Sequence, residues 1–204
     1  MLDDHALLTA WQGGDERAGR TLVERHYEAV ARFFVTKDRA GAPDLIQQTL
    51  VKLVEAAPRI PGDCNVRAYV LGIARHVLYD HFRAAYQVGA RLEFGERSVA
   101  DLQPGPSSVI AREQQTRLLL LALRQIPLES QVLVELYYWE ELTAREVADI
   151  FEIPEGTVRT RLRRARHLLE QAMTRLAETP DVLTSTLADL DAWALRVRDE
   201  LRSA

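Results

Sequence analysis

The sequence holds a single cysteine, Cys64, among 204 residues. An internal disulfide and any zinc site built from several thiolates are thereby excluded. No apolar run is long enough to span a bilayer, and the opening residues Met1-Leu2-Asp3-Asp4-His5 lack the basic and apolar regions of a secretory leader. A cytoplasmic location without membrane insertion is expected. Strand-like alternation is scarce, helical periodicity dominates, and the expectation is an all-α chain. Positive charge is also short: 26 Lys and Arg against 30 Asp and Glu leave a net −4. Such a chain is not a basic nucleic-acid binder as a whole, so any contact with DNA must come from local patches. There is no phosphate-cradling glycine motif and no nucleophile triad, so no catalytic residue, metal site or cofactor is expected. Apolar residues make up 47%, enough for ordinary cores, and two small helical domains are the expected arrangement.

What the sequence does contain is concentrated in residues 141–173. The spacing predicts two helices around a turn, Thr143 to Phe151 and Gly156 to Met173, with Thr143 as cap and Glu146 completing a capping box. Val158, Leu162, Ala165 and Leu169 make a stripe that must be buried, leaving Arg159, Thr160, Arg163, Arg164 and Arg166 around the other side. Arginine suits phosphate and guanine edges, and a short helix after a tight turn fits the DNA major groove. A solvated basic face is the plain alternative. The cap, the turn, Ala148 at the helix crossing and Val158 inside argue for the helix-turn-helix.

Towards the N-terminus, helical spacing from Leu7 to Val35 is broken by Gly13-Gly14-Asp15, and Tyr27, Val30 and Phe34 are expected to point inward. Residues 44–57 form a clearer helix, with Pro43 at its start, a stripe of Ile46, Leu50, Leu53 and Ala57, and Asp44, Gln47, Gln48 and Lys52 outside. On physical grounds alone those outer residues read as dipole compensation and solvated glutamines. A loop, Pro58 to Asn65, holds Cys64, read as a small buried or semi-exposed residue in preference to a redox sensor. The following helix, Val66 to Ala85, has the stripe Val66, Val70, Ile73 and Val77 opposite Arg75, His76, Tyr79 and Arg83. Cations mixed with aromatics on one face suit single-stranded DNA.

Residues 87–108 lose periodicity and read as a linker whose charges Glu93, Glu96 and Asp101 are solvated by default. Ser107 or Ser108 can cap a helix running to Arg124, with Pro127 ending the segment and Leu118, Leu119, Ala122 and Ile126 buried. A further helix, Ser130 to Trp139, presents Val132, Leu133, Leu136 and Tyr137. After Thr179-Pro180, a stripe of Leu183, Leu187, Leu190, Ala194, Val197 and Leu201 needs a partner surface, which its own domains, a second copy or a regulatory contact could supply.

The run Thr143, Glu146-Val147-Ala148, Pro154-Glu155-Gly156-Thr157-Val158-Arg159-Thr160-Arg161-Leu162 and Arg164-Ala165-Arg166 resembles region four of the extracytoplasmic-function sigma factors of bacterial RNA polymerase. Ala122-Leu123, Ile126-Pro127, Val132, Leu136, Tyr138 and Glu140 follow the first half of that region. Asp44-Leu45-Ile46-Gln47-Gln48-Thr49-Leu50-Val51-Lys52-Leu53, with Tyr69, Ile73-Ala74-Arg75, Asp80 and Arg83, resembles region two, as do Trp11, Gly14-Asp15, Ala18, Leu22 and Tyr27. The resemblance implies an alternative sigma factor without catalysis of its own, whose partners are core RNA polymerase, through its clamp coiled coil and flap, and promoter DNA, with an anti-sigma factor as a conceivable restraint. It implies a region-two domain over 1–86, a linker over 87–112, a region-four domain over 113–178 and an extension over 179–204. Asp44, Gln47 and Gln48 would touch polymerase; Asn65, Arg67, Tyr69, Arg75, His76, Tyr79 and Arg83 would serve the −10 element; Arg159, Thr160, Arg161, Arg163 and Arg164 would serve the −35 element. By the same resemblance the linker would run near the polymerase active-site cleft. The chain departs from the family at Glu152, where glycine is usual, at Leu50 for phenylalanine, at Tyr69 for tryptophan and at His76 for asparagine.

Two rivals remain at this point. A stand-alone helix-turn-helix regulator explains residues 141–173 but not the Asp44 and Arg75 segments. A helical metallohydrolase using His76, Asp80 and His81 would need further ligands, and none is suggested.

Overall fold

The computed structural model describes residues 2–85, 94–102 and 114–177. The caps expected at Ser107 or Ser108 and the apolar stripe from Leu183 to Leu201 lie outside the described residues. The described part is helical, with no strand beyond an isolated bridge between Ser98 and Pro127. The chain forms two compact units, Met1–His81 and Phe82–Ala204.

In the first unit, α1 (Asp4–Gln12) starts where the Asp3 carboxylate accepts the Ala6 N–H at 2.8 Å. It ends at Gly13, followed by Gly14 at φ 98°. Helix α2 (Glu16–Val35) begins on Asp15, whose carboxylate accepts the N–H groups of Arg17 and Ala18 at 2.9 and 3.2 Å. The two helices pack closely: a Cβ at Gly19 would lie 2.4 Å from the Trp11 ring nitrogen. Helix α3 (Ala42–Ala56) carries Pro43 in its first turn and runs into a 3₁₀ turn, Ala57–Arg59. Helix α4 (Val66–Ala85) follows the loop.

Leu8, Leu22, Phe34, Leu45, Leu53, Leu71 and Leu78 are sealed in this core, each contributing on the order of 2 kcal/mol by leaving water. Val30, Phe34, Ile46, Leu53 and Ala57 are buried as expected. Tyr27 is not: it stands 47% exposed, because Val30 and Phe34 take the core side of α2 and Tyr27 faces outward beside α3. Lys37 is also buried. Its ammonium donates to the Phe33 carbonyl at 2.7 Å and lies 4.0 Å from the centre of the Phe33 ring, closing the C-terminal end of α2. Asp38 next to it accepts the Gly41 N–H at 2.9 Å and pairs with His81 of α4 at 3.0 Å.

In the second unit, residues 94–102 are packed structure where the composition suggested a linker. Leu128 and Glu129 donate their N–H groups to the carbonyls of Arg97 and Phe94, at 2.7 and 3.0 Å, and Ala100 donates to Arg124 at 2.9 Å. Ser98 and Asp101 form a reciprocal cap for α5 (Val99–Leu102). Those hydrogen bonds from Ser98 hold the Asp101 carboxyl below its ordinary pKa. Phe94, Val99 and Leu102 are buried. Helices α6 (Gln114–Leu123) and α7 (Leu128–Val134) follow, and α7 continues into a five-residue π-helical stretch, Glu135–Trp139. Then come α8 (Ala144–Phe151) and α9 (Glu155–Leu176). Leu119, Ala122, Leu123, Ala165, Leu169, Ala172 and Met173 join α6 to α9 in one apolar cluster.

Candidate nucleic-acid interface

Three faces carry the residues picked out by sequence. The first is the pair α8 and α9. Glu146 donates its N–H to the Thr143 hydroxyl at 3.2 Å, and its carboxylate accepts the Thr143 N–H at 2.7 Å, so both halves of the capping box are formed. The turn closes through Glu152 in the left-handed region, φ 55° and ψ 42°, with the Ile153 N–H on the Ala148 carbonyl at 3.1 Å. Glu141, at φ 54°, is a second left-handed residue before α8, and no turn-forming side chain marked it in the sequence. Val158, Leu162, Ala165 and Leu169 are buried, which turns the opposite side of α9 to solvent.

On that side, Arg159 is 70% exposed and held by Glu155 at 2.6 Å, a contact that raises the guanidinium pKa further above its ordinary value. The Thr160 hydroxyl donates to the Gly156 carbonyl at 3.1 Å. Arg166 pairs with Glu170 at 3.3 Å. Arg163 and Arg164 are exposed and make no ion pair with a described residue. Arg161 differs from the expectation that grouped it with them: its guanidinium donates to the Glu129 carboxylate of α7. It lies on the flank of α9 that borders its own domain.

The second face is α4 with the residues before it. Asn65 is exposed, and its side-chain oxygen accepts the Ala68 N–H at 3.2 Å, so it caps α4. Arg67, Tyr69 and Arg75 are half-buried, and His76 and Arg83 are exposed. Tyr79 departs from the sequence reading: it is only 5% exposed, with the Arg75 guanidinium 4.7 Å above its ring centre. Both ring faces cannot then stack on bases, because the core packs one side and Arg75 covers the other. Burial, with Asp63 adding to it, pushes the Cys64 thiol above its ordinary pKa, which suits a small structural residue.

The third face is α3. Asp44, Gln47 and Gln48 are exposed on it. Beside them runs an open groove lined by Tyr27, Pro43, Ile46, Leu50, Val51 and Val54. Val51 and Val54 are 50% and 53% exposed. Neither belongs to the buried stripe of α3, and two valines off the stripe of an amphipathic helix are the signal the sequence offers for such a face.

The model of sigma-70 region 2 matches residues 22–87, and that of sigma-70 region 4 matches residues 116–169. The chain belongs to the extracytoplasmic-function sigma factors. Among curated relatives, the ECF RNA polymerase sigma factor SigX of Bacillus subtilis is 24% identical over 150 residues, spanning 72% of this chain and 77% of the relative. The ECF RNA polymerase sigma-E factor of Haemophilus influenzae is 24% identical over 187 residues, spanning 83% and 95%. Among solved structures, CnrH in complex with the cytosolic domain of CnrY superposes with a TM-score of 0.61 at 21% identity, covering 85% of this chain and 99% of that one. The sigma factor RpoE bound to the anti-sigma factor NepR from Bartonella quintana gives 0.58 at 19%, covering 76% and 96%. At those identities the superpositions speak for the fold. In this sigma factor α3 and α4 fall within the region-two match, and α8 with the exposed turns of α9 falls within the region-four match. No described helix is long and apolar enough to cross a membrane.

Proposed function

We propose that this sigma factor docks on core RNA polymerase through the groove and polar rim of α3, opens the −10 element along α4, and reads the −35 element with α9. The observation that carries the reading is the open apolar groove on α3. A stand-alone helix-turn-helix regulator has no use for such a face, whereas a factor that borrows a larger enzyme's grip on DNA needs one. Asp44, Gln47 and Gln48 rim that dock. Arg67, Tyr69, Arg75, His76 and Arg83 give α4 a cationic and aromatic path for a displaced strand. Asn65 shapes the loop before it by capping the helix, and Tyr79 acts by holding Arg75. Arg159, Thr160, Arg163 and Arg164 face the −35 element. The chain supplies no chemistry; strand opening rests on binding energy, and the polymerase makes the phosphodiester bonds. Action in the cytoplasm and restraint by an anti-sigma factor complete the reading.

Run-off transcription with core polymerase tests it. Discrete transcripts that depend on this chain are expected. Arg164→Ala should lower −35-dependent output by about tenfold, roughly the worth of one good base-edge contact, while association with polymerase is retained. Tight, specific duplex binding by the free chain, with no association to core polymerase, would establish the stand-alone regulator instead.

A further inference from the structure

We infer that Glu129 and Arg161 form a brace that sets the angle of the recognition helix, so that Arg161 positions its neighbours and does not touch DNA. The inference rests on the sigma-factor reading above. Its starting point is the place of Arg161 on α9. Residue 161 precedes buried Ala165 by four and half-buried Leu168 by seven, which puts it on the flank of the helix nearest the core. Its guanidinium reaches across to a carboxylate 32 residues earlier in the chain, at the start of α7.

Glu129 is held from a second direction as well. Its N–H donates to the Phe94 carbonyl at 3.0 Å, and the preceding residue Leu128 donates to Arg97 at 2.7 Å. A Cβ at Gly95 would lie 3.1 Å from the second Glu129 carboxylate oxygen, so the entering segment lies against the same carboxylate that holds Arg161. Three pieces of chain distant in sequence therefore meet at Glu129: residues 94–97 on its backbone and beside its carboxylate, the first turn of α7 that carries it, and α9 through Arg161. Gly95, Glu129, Arg161 and Arg164 line one small pocket there. Arg164 is one turn from Arg161, so a tilt of α9 about the brace would displace it directly.

The two roles for Arg161 differ in what its partner should do. If Arg161 met a phosphate, Glu129 would be a competing anion beside the DNA, and its neutralisation would leave affinity unchanged or raise it. If the pair is a brace, neutralising Glu129 has the same sign of effect as removing Arg161. The pair is partly exposed, 43% and 27% for the two side chains, so its loss should alter affinity by no more than about fivefold.

The experiment uses reconstituted holoenzyme on a promoter mapped by run-off transcription, with the −35 element intact or scrambled, over a range of salt. The variants are Arg161→Ala, Glu129→Gln, and the exchanged double variant carrying Glu129→Arg and Arg161→Glu. Expected are losses of about two- to fivefold in −35-dependent affinity for each single variant, an unchanged log-log salt slope, and recovery in the exchanged variant. The brace is overturned if Arg161→Ala lowers the slope by about one, the mark of a lost phosphate contact, or if Glu129→Gln has no effect or tightens binding. Unaltered affinity in both single variants overturns it too. A wild-type chain that ignores the −35 sequence, or fails to join polymerase, would instead sink the sigma-factor reading on which the brace depends.

Discussion

Glu152 turns the chain between α8 and α9 at φ 55°, a conformation that crowds the Cβ of any L-residue. Its strain is about 1 kcal/mol relative to glycine. Glu152→Gly should therefore raise the melting temperature of the second unit by about 4 °C; a lower value in a thermal melt would show that the carboxylate contributes more than the backbone strain removes. His26 gives the opposite kind of sensitivity. It is 5% exposed, and burial lowers its pKa below the ordinary value; Asp4 at 2.8 Å pulls upward by less, and Arg67 and Arg25 push down. The folded chain thus takes up this proton less readily than the unfolded chain. Stability from this group is present above the unfolded value, about 6.5, and is lost as pH falls below it. Melting temperature should drop between about pH 7 and pH 5, and His26→Gln should shallow that drop; an identical slope in the variant would remove His26 as the cause.

At the scale of elements, α3 shows how one helix serves two surfaces. Leu45, Ile46 and Leu53 enter the core while Val51 and Val54 stay in solvent. Because an exposed valine adds little to folding, Val54→Asp should change stability by no more than about 0.5 kcal/mol. Placed in the proposed dock it should weaken polymerase association by about tenfold, the loss of an interface anchor, measured by competition binding beside a thermal melt. Unchanged association with a folded variant would move the dock elsewhere. Periodicity made α3 readable as a helix, since a stripe buried in its own unit recurs every three or four residues. The two valines off that stripe stand in the sequence, but their joining Tyr27 of α2 in one groove is visible only in the folded chain. The same limit applies to residues 94–102, whose order comes from hydrogen bonds to the start of α7 and the end of α6, not from any spacing of their own.

At the scale of the whole molecule, net charge is −4 and the cationic side chains on α9 are partly countered by Glu155, Glu170 and Glu129. A chain so balanced should bind promoter duplex weakly by itself. Gel-shift titration at about 150 mM salt should show no specific complex with the free chain and a specific one with holoenzyme, because the electrostatic share of binding is then spread over a larger basic surface. A specific complex of the free chain at that salt would count against this division of labour. The amino-acid sequence by itself determined the long helices, the Thr143 cap and the family, because each depends on residue types a few positions apart. Only the tertiary structure decided that Arg161 turns to Glu129, that Tyr79 is buried under Arg75 and that Tyr27 faces out. Pairing and burial bring together groups from different elements, and no local spacing records which of them will meet.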